Sequence, residues 1–79
     1  MPYTPDIVDE LNMLVRYNLD TTQAGIKVHK HEAAPAIVAA TQRLYDKGLI
    51  TQEDGGYLTN LGHEAAAEAQ SLLGLLHPA

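Results

Sequence analysis

The stretch KGLITQEDGGYLTN, residues 47–60, constrains the fold more than any other part of the chain. Leu49-Ile50-Thr51 and Tyr57-Leu58-Thr59 are short runs of strand-forming residues. Asp54-Gly55-Gly56 lies between them and accepts the positive φ angles of a tight turn. A hairpin of this size is not stable alone, so helices must cover one of its faces. The flanking segments are helical in pattern. The chain therefore has to be a small mixed fold in which a β-ribbon lies on a helical core.

Three helices follow from their punctuation. Thr4-Pro5-Asp6 reads as a start: Thr4 caps, Pro5 suits the first helical position, and Asp6 favours the positive pole. Ile7, Leu11, Leu14 and Val15, with Val8 beside them, recur at helical spacing, and Asn18 supplies a stop, which predicts a helix over 5–17. AAPAIVAATQRLYDK, residues 33–47, predicts the second helix, because Pro35 is tolerated only in a first turn. Its inner face is Ile37, Ala40, Thr41 and Leu44, widened by Val38 and Tyr45; Ala39, Gln42, Arg43 and Asp46 are left to face outward. Gly48 ends it and Leu49 packs back. Thr59 or Asn60 caps the third helix, whose stripe is Leu61, Ala65, Ala69, Leu72 and Leu76, with Leu73 adjoining. Gly74 weakens that helix near its end by ~1 kcal/mol relative to Ala. Between the first two helices, Asp20-Thr21-Thr22-Gln23 has capping-box spacing and Gly25 would close a single turn. Ile26–Lys30 then alternates apolar and polar as a half-buried strand does.

A chain of 79 residues is one domain, residues 1–79, and buries only a modest core. It has no Cys, hence no disulfide, thiolate nucleophile or Cys-ligated metal. No apolar run approaches the ~18 residues needed to span a bilayer. The opening MPYTPD lacks the basic and apolar regions of a signal peptide, so no membrane contact and a cytoplasmic location are expected. The balance of 5 basic to 10 acidic residues argues against indiscriminate binding to nucleic acid. Residues 21–47 are the exception. They hold Lys27, Lys30, Arg43 and Lys47 against Glu32 and Asp46, a net charge of 4 − 2 = +2. Residues 48–79 contain no Lys or Arg.

Chemistry is thinly represented. His29 and His31, two apart on a strand, point the same way, and Glu32 or His63 could join them around a metal; the plainer reading is a polar connection, and no metal or cofactor is expected. Ser71, the only serine, lies in an apolar helical run without a base in sequence context. The pairs Asp9-Glu10 and Glu53-Asp54 read as solvated surface, and Gly55-Gly56 lacks the Lys of a phosphate loop. No catalytic residue and no enzyme activity are expected.

Residues 43–65, RLYDKGLITQEDGGYLTNLGHEA, resemble the wing region of bacterial winged-helix regulators. In those proteins a recognition helix runs through a Lys-Gly-Leu-Ile turn into a charged tip, and a Tyr-Leu-Thr arm leads to the next helix. Leu44, Lys47, Gly48, Leu49, Ile50, Gly55, Tyr57, Leu58, Thr59, Gly62 and Glu64 sit where that pattern places them. The whole chain is also similar to a short bacterial family of unassigned function whose members are sometimes labelled DNA-binding proteins or transcriptional regulators. The resemblance implies an α+β, mostly helical, winged-helix-like fold with three main helices and a two- or three-stranded β wing. It implies a DNA-binding module of transcription-regulator type, weak or partner-assisted. Taken with the basic segment, it makes Lys27, Lys30, Gln42, Arg43 and Lys47 the contacts to double-stranded DNA.

Two features depart from that pattern. The tip carries Glu53 and Asp54, which would repel phosphate, and the helix expected before the recognition helix is shortened or missing. An alternative is a protein-protein interaction adaptor that keeps the fold without DNA contact. Leu72, Leu73, Leu75 and Leu76 wrap more than one helix face, so some of them should meet another chain, and a two-fold homodimer is the commonest solution.

Overall fold

The helices begin where caps and prolines allow. In the computed structural model, which describes residues 2–21 and 24–77, α1 spans Pro5–Leu14. The Thr4 hydroxyl accepts from the Ile7 amide at 3.2 Å. α2 spans Pro35–Asp46 with Pro35 at its start and no side-chain cap, and α3 spans Asn60–Leu76 with Thr59 as cap. The strands are β1 (Ile26–Lys27), β2 (Ile50–Gln52) and β3 (Gly55–Leu58). The architecture is α+β: three helices and one antiparallel sheet of three strands in the order β1-β3-β2.

The hairpin differs from the expected one in a specific way. Gly55 and Gly56 do not form the turn; they enter β3, and Glu53-Asp54 turn the chain. The reason is β1, which pairs Ile26 with Gly56 and Lys27 with Gly55. A methyl on Gly55 would collide with the Ile26 carbonyl, and the φ of Gly55 is +128°. Only glycine permits this approach. The predicted strand over 26–30 is accordingly two residues long, extended by a 2.7 Å bond from the Val28 amide to the Asp54 carbonyl. Of the capping-box segment before it, Thr22 and Gln23 lie outside the described residues.

The Gly-Leu-Ile and Leu-Thr residues of the wing-like pattern build one junction. Gly48 turns the chain off α2 with φ +77°. The Thr59 amide donates to the Leu49 carbonyl at 3.1 Å, and the Thr59 hydroxyl donates to the Gly48 carbonyl at 2.6 Å. The same hydroxyl accepts from the Gly62 amide at 3.0 Å. Gly62 is pressed against Leu49 so closely that a β-carbon would strike the Leu49 carbonyl. These residues weld the hairpin base to the first turn of α3, a structural role that any helix–hairpin–helix unit of this shape would need.

One cluster forms the core: Met13, Leu14, Tyr17, Val28, Ala40, Leu44, Ile50 and Ala66. α1 supplies it through a different face from the predicted one. The buried positions are Glu10, Met13 and Leu14, followed by Tyr17 in the turn beyond the helix, which ends three residues earlier than expected. Ile7 and Val8 stay 38 and 40% exposed. The spacing 10, 13, 14, 17 is as helical as the predicted one, but it places a carboxylate inside. Buried Thr41 satisfies its hydroxyl by donating to the Ile37 carbonyl at 2.7 Å. The Tyr17 hydroxyl has no hydrogen-bond partner among the described residues, and burial pushes its pKa up.

Candidate functional site

The residues expected to contact DNA lie on α2, at Lys47 just beyond it, on β1 and in the turn before α2, and they divide into separate groups. Arg43, predicted to face outward, reaches across to α1. Its Nε donates to Glu10 Oε2 at 3.0 Å, and its Nη2 donates to the Asp6 carbonyl at 3.2 Å and lies 3.8 Å from Asp6 Oδ1. Lys47 hydrogen-bonds the other oxygen, Oε1, of the same Glu10. Glu10 is therefore not solvated surface, as its sequence context suggested: its side chain is 7% exposed and held by two cations. Burial alone would push its pKa up. The hydrogen bonds from Lys47 and Arg43, with their charges, outweigh burial and leave it below the ordinary carboxylate value.

Sequence reasoning missed Glu10 because its partners lie 33 and 37 residues away. The available signal was its position three and four residues before Met13 and Leu14. That spacing places an acid on the buried stripe and calls for a cation on the packed helix.

The other expected contacts are distributed around the sheet. Lys27 Nζ lies 3.3 Å from Asp54 Oδ2, so the acidic tip neutralises the basic strand. The Gln42 amide donates to Asp46 Oδ1 at 3.1 Å. Gln42 and Lys30 share a cleft of about 460 Å³ between α2 and the hairpin, floored by Val28 and Val38 and edged by Glu53 and Asp54. Lys27 also borders a shallow concavity of about 210 Å³, with Arg16, His29 and Glu32. Arg16, in the turn beyond α1, lines the same concavity as Lys27 although the two are eleven positions apart in sequence. Among the described residues, no three His, Cys, Asp or Glu side chains gather closely enough to hold a metal ion.

A separate face, between α1 and the end of α3, is apolar. A groove of about 360 Å³ runs between α1 and the end of α3. Tyr3, Val8, Leu11 and Val15 line one wall, and Leu72, Leu73 and Leu76 line the other. This gives α1 a second apolar face, which accounts for Val8, Leu11 and Val15 beyond what the core needs. Leu72, Leu73, Leu75 and Leu76, the expected dimer contacts, are 50, 41, 80 and 69% exposed.

A sequence-family profile matches residues 1–77, nearly the whole chain. The chain belongs to DUF5669, a family of unknown function. No curated protein and no solved structure matches it. Membership of DUF5669 brings no activity with it, so the functional argument rests on the two faces. Among the described residues of this DUF5669 member, no helix is long and apolar enough to cross a membrane.

Proposed function

We propose that this chain is a winged-helix-like protein-interaction module that makes its contacts with protein and not with duplex DNA. The winged-helix part of the reading is supported by the element order and by the sheet order β1-β3-β2, with the hairpin set between α2 and α3. The turn at 29–33, where Glu32 and Ala33 donate to the His29 carbonyl, stands where a helix-turn-helix unit would have its first helix. One turn is too short to brace α2 across a DNA backbone.

The observation that carries the loss of DNA contact is the capture of Arg43 and Lys47 by Glu10. A cation adds to DNA affinity by neutralising phosphate and releasing counterions. A guanidinium already hydrogen-bonded to a buried carboxylate would first have to leave that carboxylate unpaired. Lys27 is paired more loosely, with the partly exposed Asp54. With Arg43 and Lys47 engaged, a DNA-binding module, weak or partner-assisted, would keep Lys27, Lys30 and Gln42 of the expected contacts, and Arg16 and His29, with Glu32 among them, would be additions to that set.

Fluorescence anisotropy with a labelled random duplex at about 50 mM salt separates the two. A basic module would bind non-specifically at roughly 1–100 µM at physiological salt and more tightly at this lower salt. The interaction reading expects no rise in anisotropy over that range. Binding that weakens steeply with salt, and that is lost in Lys30→Glu, would return the protein to the DNA-binding class.

A further inference from the structure

We infer that the apolar groove between α1 and α3 is closed by a second copy of this chain, in a two-fold contact where the last turn of each α3 enters the groove of the other. This names the first partner of the interaction module and rests on that reading. The DNA titration addresses α2 and the basic turn, whereas the test below addresses the α1–α3 groove, which shares no residue with them, so either can fail alone.

Three observations choose the occupant. The first is shape. Leu75 projects from the end of α3 at 80% exposure, beside the groove that Tyr3, Val8, Leu72 and Leu76 help to line. A knob and a hole on one surface are what a self-complementary contact requires, since each copy offers both.

The second is charge. The molecule carries −5, so two copies repel over most of their surface. Among the described residues no Asp, Glu, Lys, Arg or His lines the groove, and residues 69–76 contain none. This is the face on which an acidic protein can approach its own copy without setting carboxylate against carboxylate. Glu68, exposed one turn before Leu72, bounds the contact. Full-length parallel pairing of α3 would set Glu68 against its own equivalent. The two helices therefore cross through their C-terminal halves, around Leu72 and Leu75.

The third is area. Tyr3 at 63%, Val8 at 40% and the four leucines leave on the order of 600 Å² of apolar surface in the open, near the ~800 Å² per partner of a standard interface. That is the upper end of what single-chain proteins expose in one patch, roughly 300–600 Å².

Sedimentation equilibrium at tens of micromolar tests the assignment. Wild type is expected at twice the 8.6 kDa of one chain. Leu75→Glu, at a position too exposed to support the fold, is expected to shift it to a single chain with an unchanged far-ultraviolet spectrum. Tyr57→Glu, on the exposed side of the hairpin, is expected to leave the dimer intact. A wild type that sediments as one chain overturns the inference, and if it also floats with phosphatidylcholine vesicles the face belongs to a lipid surface instead. A dimer that survives Leu75→Glu overturns it equally, because the contact then lies elsewhere.

Discussion

The two ends of α3 are built in opposite ways. At its start, Thr59 is tied to Gly48 and Leu49, Gly62 is pressed onto the Leu49 carbonyl, and Ala66 is wholly buried. From Ser71 to His77 every residue is exposed, and a methyl on Gly74 would meet nothing within 4 Å. One helix thus carries a fastened half, closed into the fold, and a looser half whose leucines all stay exposed. Stability therefore rests on residues of the first half, and the proposed association on residues of the second. A substitution should disturb one without the other.

The largest effect is expected where the helix is fastened. Gly62→Ala forces a methyl into the Leu49 backbone, and neither partner is a flexible side-chain tip. A loss of about 3 kcal/mol is expected in urea denaturation, at the high end for overpacking. A loss below about 1 kcal/mol would mean that the junction is slack and that the contrast between the two ends is weaker than drawn.

Next comes Glu10→Ala, which leaves Arg43 and Lys47 without their shared carboxylate. Breaking a fully buried pair costs about 3–5 kcal/mol. Here Lys47 is 52% exposed and water compensates it, so about 2 kcal/mol is expected. The pH dependence has a definite sign. The folded pKa of Glu10 lies below its unfolded value, so its contribution is fully present above the ordinary glutamate pKa of ~4.3 and is lost as pH falls through the lower folded value. Wild type and variant should therefore converge in stability in acid and diverge at neutral pH. A difference that persists unchanged at low pH would point to packing, not charge.

The smallest effect, and of opposite sign, is expected at the free end. Gly74→Ala should stabilise α3 by about 0.5–1 kcal/mol through helix propensity, visible as a higher midpoint in thermal melts. The same chemical change at two glycines twelve positions apart (74 − 62) is the sharpest form of the comparison. Equal signs would erase it.

Much of the architecture was legible in local sequence. Thr4-Pro5, Pro35, Gly48 and Thr59 marked helix ends because caps and prolines act within one turn of the residue that carries them. The hairpin was legible for the same reason, from two strand-like runs around glycines. The parts that were not legible are those decided by distant neighbours. Gly55 and Gly56 look like a turn until Ile26 and Lys27 arrive beside them. Asp9 and Glu10 look alike until α2 brings Arg43 and Lys47 over one of them. For the candidate site, the leucines of α3 could be read from their excess over one face. The α1 wall of the groove could not, because Val8, Leu11 and Val15 fit an ordinary core stripe equally well.

The narrow sheet has a consequence of its own. Its outer strands, β1 and β2, are two and three residues long, and the longest strand, β3, lies between them. Such borders offer too few free amides and carbonyls to template a further strand. A heated, concentrated solution of this protein should therefore clump through its leucine-rich helix tails as amorphous precipitate. Cross-β fibrils, which grow from long open borders, should be absent.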